Sequence, residues 1–156
     1  MKRILFVCTG NTCRSSMAEA LLRHSLLNAG LAGEYFVSSA GTGAYPGMPA
    51  SHNAIQALGE LGIDLKQHSS SIIDNYLIDD AHLILTMTAS HKNHLLQLRP
   101  DAVSKTYTLA EYCESEGKAD IDDPFGWDID VYINCRDKIR IYIDALIEKL
   151  KEKGER

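Results

Sequence analysis

Strand-like and helix-like segments alternate along the whole chain, and this alternation limits the fold more than any other feature. Strands separated by helices pair in parallel, because each crossover helix returns the chain to the same end of the sheet. Apolar, β-favouring runs predict strands at residues 4–7, 35–37, 83–86 and 105–109. Apolar residues three or four apart predict helices from residue 15 to a stop at 30, and at 50–61, 90–98 and 131–149.

These segments predict an α/β fold with a mostly parallel sheet covered by helices on both faces. In such sheets ligands bind at the carboxyl ends of the strands. The chain has 156 residues, enough for one hydrophobic core and too few for two. We therefore expect a single domain over residues 1–156.

Charge, apolar runs and cysteines narrow the possible functions. The net charge of −5 argues against a nucleic-acid partner, and the longest apolar runs are too short to cross a membrane. The basic and apolar start breaks off without a cleavage-like segment, so no signal peptide is predicted. Cys8, Cys13, Cys113 and Cys135 are then expected to be free thiols of a cytoplasmic protein.

The segment between the first predicted strand and the first helix reads Cys-Thr-Gly-Asn-Thr-Cys-Arg-Ser from Cys8 to Ser15. Gly10 and Asn11 tolerate the positive φ angles of a tight curl. A curled loop turns its amide N–H groups inward as an anion site, to which the following helix adds its positive end. Arg14, six positions after Cys8, can donate two hydrogen bonds to a phosphate group.

This loop favours a nucleophilic role for Cys8. The same positive field is expected to lower the pKa of its thiol, and Ser15 can add a hydrogen bond to the sulfur. A cysteine and an arginine at this spacing are a weak signal alone, since Cys8 could simply end a core strand. The strand, the Gly-Asn turn and the helix around them strengthen it. Neither nucleotide-binding glycine motif is present.

The sequence Val-Cys-Thr-Gly-Asn-Thr-Cys-Arg-Ser-Ser-Met-Ala-Glu at residues 7–19 resembles the signature of the low-molecular-weight protein tyrosine phosphatases. The resemblance continues through Ser-Ala-Gly at 39–41 and Asp-Pro-Phe-Gly at 123–126. It implies a four-stranded parallel sheet and a phosphocysteine intermediate on Cys8, with no metal or other cofactor. It also implies a phosphate site made by Thr9, Gly10, Asn11, Thr12, Cys13 and Arg14.

A second catalytic group must protonate the leaving group and then activate water, and one carboxylic acid can do both. Asp120, Asp122 and Asp123 are the candidates. The resemblance selects Asp123, and the neighbouring Pro124 would hold its backbone rigid. Asp120 and Asp122 are interpreted as a solvated acidic turn.

The resemblance further implies supporting residues. Asn11, Ser39 and His68 would brace the loop through hydrogen bonds, while Tyr45 and Phe125 would form the walls of the substrate cleft. The chain departs from the family after Pro124, where Phe-Gly-Trp replaces the two adjacent tyrosines of many relatives. The other histidines, His91 and His94 among them, are interpreted as surface residues of a helix.

The residue at position 12, a threonine, indicates the class of substrate. Tyrosine-specific relatives commonly carry an aliphatic residue there. A threonine there resembles the bacterial protein-arginine phosphatase branch and offers an acceptor to a guanidinium. Phosphoarginine in a protein is therefore favoured over phosphotyrosine, although Thr12 could merely suit the loop. An arsenate reductase is a third reading, but Cys113 and Cys135 lie outside the place of its relay cysteines. A binding module without catalysis is disfavoured because Cys8 and Asp123 are both present.

We also expect a monomer in which Cys13 protects Cys8 by forming a disulfide with it after oxidation.

Overall fold

A parallel sheet of four strands forms the centre of the fold in a computed structural model that describes residues 1–113 and 120–154. The described strands are β1 (Lys2–Cys8), β2 (Tyr35–Gly41), β3 (Leu83–Thr86) and β4 (Thr106–Thr108). The described α-helices are α1 (Arg14–Asn28), α2 (His52–Gly59), α3 (Asn75–Asp80), α4 (Ala89–Leu98), α5 (Leu109–Tyr112) and α6 (Ile129–Gly154), and a 3₁₀ helix spans Pro100–Lys105.

The strand order β2-β1-β3-β4 places β1 between β2 and β3. All three strand pairs are parallel, with Cys8 opposite Gly41 and Val7 opposite Thr86. The chain reverses its direction across the sheet at β1 and β3, so the loops that follow these strands diverge and leave a crevice. The predicted α/β fold and parallel sheet are confirmed. The crevice lies at the carboxyl end of β1, where Cys8 is the last residue of the strand.

Alternate residues of β1 pack against opposite helical layers. Ile4 and Phe6 belong to the core that includes buried residues of α1, α2 and α6. Leu5 and Val7 belong to a second core, which includes Ile78 of α3 and other residues of α3 and α4. A strand covered on both faces reads as an unbroken apolar run, which is the pattern that predicted β1.

The sequence pattern missed α3, α5 and the 3₁₀ helix, each only one or two turns long. Such short segments give too few residues for a periodicity, and side-chain caps stabilise the starts of α3 and α5. Asp74 accepts a hydrogen bond from the amide of Leu77 at the start of α3. Thr108 and Glu111 form a reciprocal capping box on α5.

Within the described residues, no helix is long and apolar enough to span a membrane.

Candidate active site

The loop after β1 curls tightly around a small pocket. Asn11 adopts a positive φ of 59° and its amide donates a hydrogen bond to Cys8 Sγ at 3.3 Å. Arg14 follows as the first residue of α1, so the helix N-terminus faces the curl. The pocket has a volume of about 200 Å³. Its lining consists of Cys8, Thr9, Gly10, Asn11, Thr12, Cys13, Arg14, Asp123 and Phe125.

The end of β2 braces the start of this loop. The amides of Thr42 and Gly43 donate to the carbonyl oxygens of Cys8 and Thr9 at 2.8 and 3.0 Å. The approach is so close that a Cβ on Gly41 would lie 2.2 Å from the Thr9 carbonyl oxygen. Only glycine can stand at position 41 without displacing the loop.

Asn11 is the hub of a buried hydrogen-bond network. Its Nδ2 donates to Ser15 Oγ and to Ser39 Oγ, both at 2.8 Å. His68 Nε2 lies 2.6 Å from the Asn11 carbonyl oxygen. The structure thus brings together Asn11, Ser15, Ser39 and His68, the four supporting residues of the sequence prediction.

Two further members of this network were not predicted. Glu19 accepts a hydrogen bond from Ser39 Oγ at 2.6 Å, and the amide of Ser71 donates to Asn11 Oδ1 at 2.9 Å. Glu19 belongs to the signature segment at residues 7–19, so the sequence analysis could have named it as a supporting residue. The Ser71 contact is made by the backbone and leaves no trace in the residue type.

The Cys8 sulfur is buried beneath the loop, 2.7 Å from Ser15 Oγ. Burial raises the pKa of the Cys8 thiol, while hydrogen bonds from Ser15 and Asn11 and the charge of Arg14 act in the opposite direction. The predicted lowering of this pKa is therefore wrong, because burial outweighs the stabilising contacts.

Arg14 links the loop at residues 8–15, here called the phosphate loop, to the turn that contains Asp120, Asp122 and Asp123. Its Nη1 donates to the Ile121 carbonyl oxygen at 2.9 Å, and its Nη2 lies 3.6 Å from Asp123 Oδ2. The Arg14 side chain is 6% exposed, whereas that of Asp123 is 51% exposed. Asp123 Oδ1 also accepts the amide of Phe125 at 3.1 Å. A buried guanidinium and an accessible carboxyl group therefore face one pocket.

The neighbouring aspartates are placed differently. Asp120 Oδ1 accepts the amide of Ala89 at the start of α4, at 2.9 Å. Asp120 is exposed, in agreement with its interpretation as part of a solvated turn, and this hydrogen bond also anchors the turn to α4, which the sequence did not predict. Asp122 is exposed, in agreement with that interpretation.

The two aromatic residues predicted for the cleft also differ in placement. Phe125 lines the pocket with a largely exposed ring. Tyr45 is 78% exposed and is not among the described lining residues. Its carbonyl oxygen accepts a hydrogen bond from Ser70 Oγ, which fixes the loop while the ring projects into solvent.

Residues 3–156 match the family model of the low molecular weight phosphotyrosine protein phosphatases. The chain belongs to this family. It is a phosphatase, and the pocket described above is its candidate active site. Among residues 1–113 and 120–154, no group of three or more His, Cys, Asp or Glu side chains could hold a metal ion.

Known relatives of this phosphatase carry several activities. It is 46% identical to a protein-arginine-phosphatase of Geobacillus stearothermophilus, over 96% of each chain. A solved YwlE arginine phosphatase mutant with a phosphorylated active-site serine has a TM-score of 0.91 and 40% identity, covering 96% of this chain and 95% of that one. An arsenate reductase of Brevibacillus brevis is 35% identical, over 99% of this chain and 97% of its own length.

One histidine of the phosphatase lies in a place that the sequence analysis did not predict. His91 is 6% exposed, and its Nε2 is 2.8 Å from the hydroxyl oxygen of Thr9 in the phosphate loop. Its interpretation as a surface residue is wrong, because α4 packs with this side toward the loop. His94, one turn further on, is exposed as expected. Burial lowers the pKa of His91 to about 4, and the charge of Arg14 acts in the same direction.

A neutral, buried His91 should make the phosphatase less stable in acid. The pKa of His91 is about 4 in the folded protein against 6.5 for a free side chain. Between these values the unfolded state binds more protons, so the free energy of unfolding falls as pH is lowered through this window. The difference corresponds to about 3 kcal/mol. Urea denaturation from pH 7 to pH 4 should show a smaller loss for His91→Gln than for wild type, and equal losses would contradict the assignment.

Proposed function

We propose that this phosphatase hydrolyses phosphorylated side chains of proteins through a phosphocysteine intermediate on Cys8. The observation that carries the proposal is that Cys8, Arg14 and Asp123 line one pocket together with the loop that follows β1. Cys8 reacts as the thiolate, which the hydrogen bonds from Ser15 and Asn11 and the charge of Arg14 favour, and it attacks phosphorus as the bond to the leaving side chain breaks. Asp123 gives its proton to that side chain, then takes one from the water that cleaves the phosphocysteine.

The remaining residues of the phosphate loop stabilise the negative charge on the phosphoryl oxygens. Phosphoryl transfer demands little beyond positioning and neutralisation of the phosphoryl oxygens. The Asn11 amide that points to Cys8 Sγ, the N-terminus of α1 and the Arg14 guanidinium supply both. Arg14 is held by the Ile121 carbonyl oxygen, so it needs little reorganisation when its contact with Asp123 gives way to phosphate.

Phosphoarginine is the proposed substrate class, with phosphotyrosine as the alternative. Thr12 lines the pocket, and in the described part of the chain its hydroxyl makes only a long 3.8 Å contact with Cys13 Sγ. Its lone pairs are thus available to a guanidinium N–H. Relatives named protein-arginine-phosphatase support this choice. Turnover of phosphoarginine and phosphotyrosine peptides of matched sequence tests it directly.

Arsenate reduction is the weaker candidate despite the similar relative. A thiol relay needs further cysteines beside Cys8, and residues 87–112, which follow β3, contain none. Cys135 is buried, with burial raising its pKa to about 12, so it is a poor relay thiol. We further propose that the phosphatase works as a cytoplasmic monomer on phosphorylated proteins, without nucleic acid or membrane.

Thr12→Ile should shift the preference from phosphoarginine toward phosphotyrosine. The variant removes the acceptor and places a methyl group against the guanidinium, whereas a phenyl ring packs better on the larger apolar side chain. The ratio of the two kcat/KM values should move toward tyrosine by about tenfold or more, which corresponds to ~1.4 kcal/mol.

Thr12→Val is the matched control, since it removes the hydroxyl and keeps the volume. It should weaken phosphoarginine turnover with little gain on phosphotyrosine. If Thr12→Ile slows both substrates equally, Thr12 shapes the loop without selecting the substrate, and phosphotyrosine becomes the better assignment.

Peroxide should inactivate the phosphatase reversibly through a Cys8–Cys13 disulfide. Peroxide oxidises the Cys8 thiolate to sulfenic acid, and the Cys13 thiol then displaces water to form the disulfide. Cys13 is in the same loop, with its sulfur 3.3 Å from the Tyr132 hydroxyl. Peptide mapping before and after dithiothreitol checks the link. A disulfide from Cys8 to Cys113 or Cys135 would contradict it and support the arsenate-reductase reading.

A further inference from the structure

His91 connects helix α4 to the phosphate loop through both ring nitrogens. Nε2 lies 2.8 Å from Thr9 Oγ1, and Nδ1 lies 3.0 Å from Thr88 Oγ1. Thr88 is the N-cap of α4, and its Oγ1 accepts the amide of His91 at 3.2 Å. The imidazole thus sits between a helix cap and a residue that lines the pocket.

The cap favours one tautomer of the ring. Thr88 Oγ1 accepts the His91 amide and has one hydrogen of its own to donate, for which His91 Nδ1 is an acceptor within reach. A neutral imidazole that accepts at Nδ1 carries its hydrogen on Nε2. In this tautomer His91 donates to Thr9 Oγ1.

Thr9 is held so that its hydroxyl hydrogen remains for the pocket. Its oxygen accepts from His91, and its carbonyl oxygen accepts the amide of Gly43. Its methyl group faces Gly43, at 4.0 Å from where a Cβ would stand there. When its oxygen accepts from His91, the Thr9 hydroxyl keeps its own hydrogen, which it can donate to an anion in the pocket that Thr9 lines.

We propose that His91 is a positioning residue that turns the Thr9 hydroxyl into a donor to the substrate phosphoryl group. This inference rests on the proposed function of the pocket, and it is independent of the leaving group. It adds a side-chain donor to the backbone amides and Arg14. A hydrogen bond to a charged oxygen is stronger than one between neutral groups, so one added donor has a measurable effect.

The charges around His91 keep the arrangement intact near neutral pH. Burial, Arg14 and His94 oppose a positive charge on the ring, and Asp120 and Asp123 favour it. The net effect is a pKa of about 4, so His91 remains a neutral donor across the working range.

Glutamine and asparagine at position 91 separate positioning from simple packing. The amide nitrogen of Gln reaches the place of Nε2, whereas that of Asn reaches only the place of Nδ1. Inorganic phosphate is the probe, with its Kd measured by calorimetry on the full chain. His91→Asn should weaken phosphate binding by about tenfold. His91→Gln should restore most of it, and the control His94→Asn should match wild type.

Thr9→Val completes a double-mutant cycle. It should weaken phosphate binding as much as His91→Asn, and the double variant should lose nothing more. Substitutions at Thr9 that act independently of His91 would overturn the proposal. So would an unchanged phosphate affinity in His91→Asn that melts at a lower temperature, since that is the signature of packing alone. A wild-type protein that fails to bind phosphate would instead overturn the proposed function.

Nitrogen NMR of histidine-labelled protein provides an independent test. The expected spectrum for His91 is the Nε2–H tautomer with no titration between pH 5 and 8. An Nδ1–H tautomer would make Thr9 the donor to His91 and overturn the proposal.

Discussion

Cys8→Ser is expected to abolish turnover while leaving phosphate binding intact. Serine lacks an ionisable thiol, so both attack on phosphorus and departure from the intermediate become slow. Loss of an enzyme nucleophile typically reduces kcat on the order of 10⁴–10⁶-fold. We expect the phosphate contacts to come from backbone amides of the loop and from Arg14, which the substitution does not remove. Steady-state turnover and phosphate binding of the same preparation measure the two effects.

The introduced serine should also accumulate a phosphoryl group. Its oxygen can attack slowly, and the resulting ester is harder to hydrolyse than a phosphocysteine. The solved arginine phosphatase mutant with a phosphorylated active-site serine is a precedent in a similar chain. Intact-mass measurement after long incubation with substrate would detect the adduct. Cys113→Ser serves as the control, and substantial turnover by Cys8→Ser would overturn the mechanism.

The phosphate loop was predictable because its parts are consecutive in the chain. Residues 8–15 contain the proposed nucleophile, the turn residues and the arginine, and a strand and a helix fix both ends. Local sequence then determines local geometry, as with the positive φ of Asn11. Four strands were found for the same reason, since each is a short run of apolar or β-favouring residues.

Contacts between distant segments could not be predicted in this way. Gly41 is required by its approach to the Thr9 carbonyl oxygen, which depends on how β2 pairs with β1. His91 has a surface residue type on a short helix, and only the packing of α4 turns it toward the loop. The Cys8 pKa results from burial acting against several contacts, and a sequence does not give their balance.

Asp123 was identifiable from the sequence, but the contacts that position it were not. The Asp-Pro pair identifies the residue, whereas those contacts come from segments that are distant in the chain. The turn is anchored by the Ile121 amide on the Met87 carbonyl oxygen and by Asp120 on α4. These contacts place the turn over the pocket, while the Asp123 carboxyl group stays accessible.

Asp123→Asn should slow substrates with poor leaving groups far more than substrates with good ones. Asparagine keeps the shape of the side chain and can still accept the Phe125 amide, but it has no proton to give. Phosphoarginine and alkyl phosphates need that proton, and their kcat should fall by about 10²–10⁴-fold. Nitrophenyl phosphate releases a stable phenolate, so its phosphorylation step should change little. Single-turnover rates isolate this step from the later hydrolysis.

Asp122→Asn is the matched control, because it changes an adjacent exposed carboxylate in the same turn. It should retain most activity on every substrate. The ion pair of Asp123 with Arg14 involves a half-exposed carboxylate, so its loss should alter stability little and leave the leaving-group dependence as the main signal. Equal losses on good and poor leaving groups would mean that Asp123 only orients Arg14. A larger loss from Asp122→Asn would instead assign the acid to Asp122.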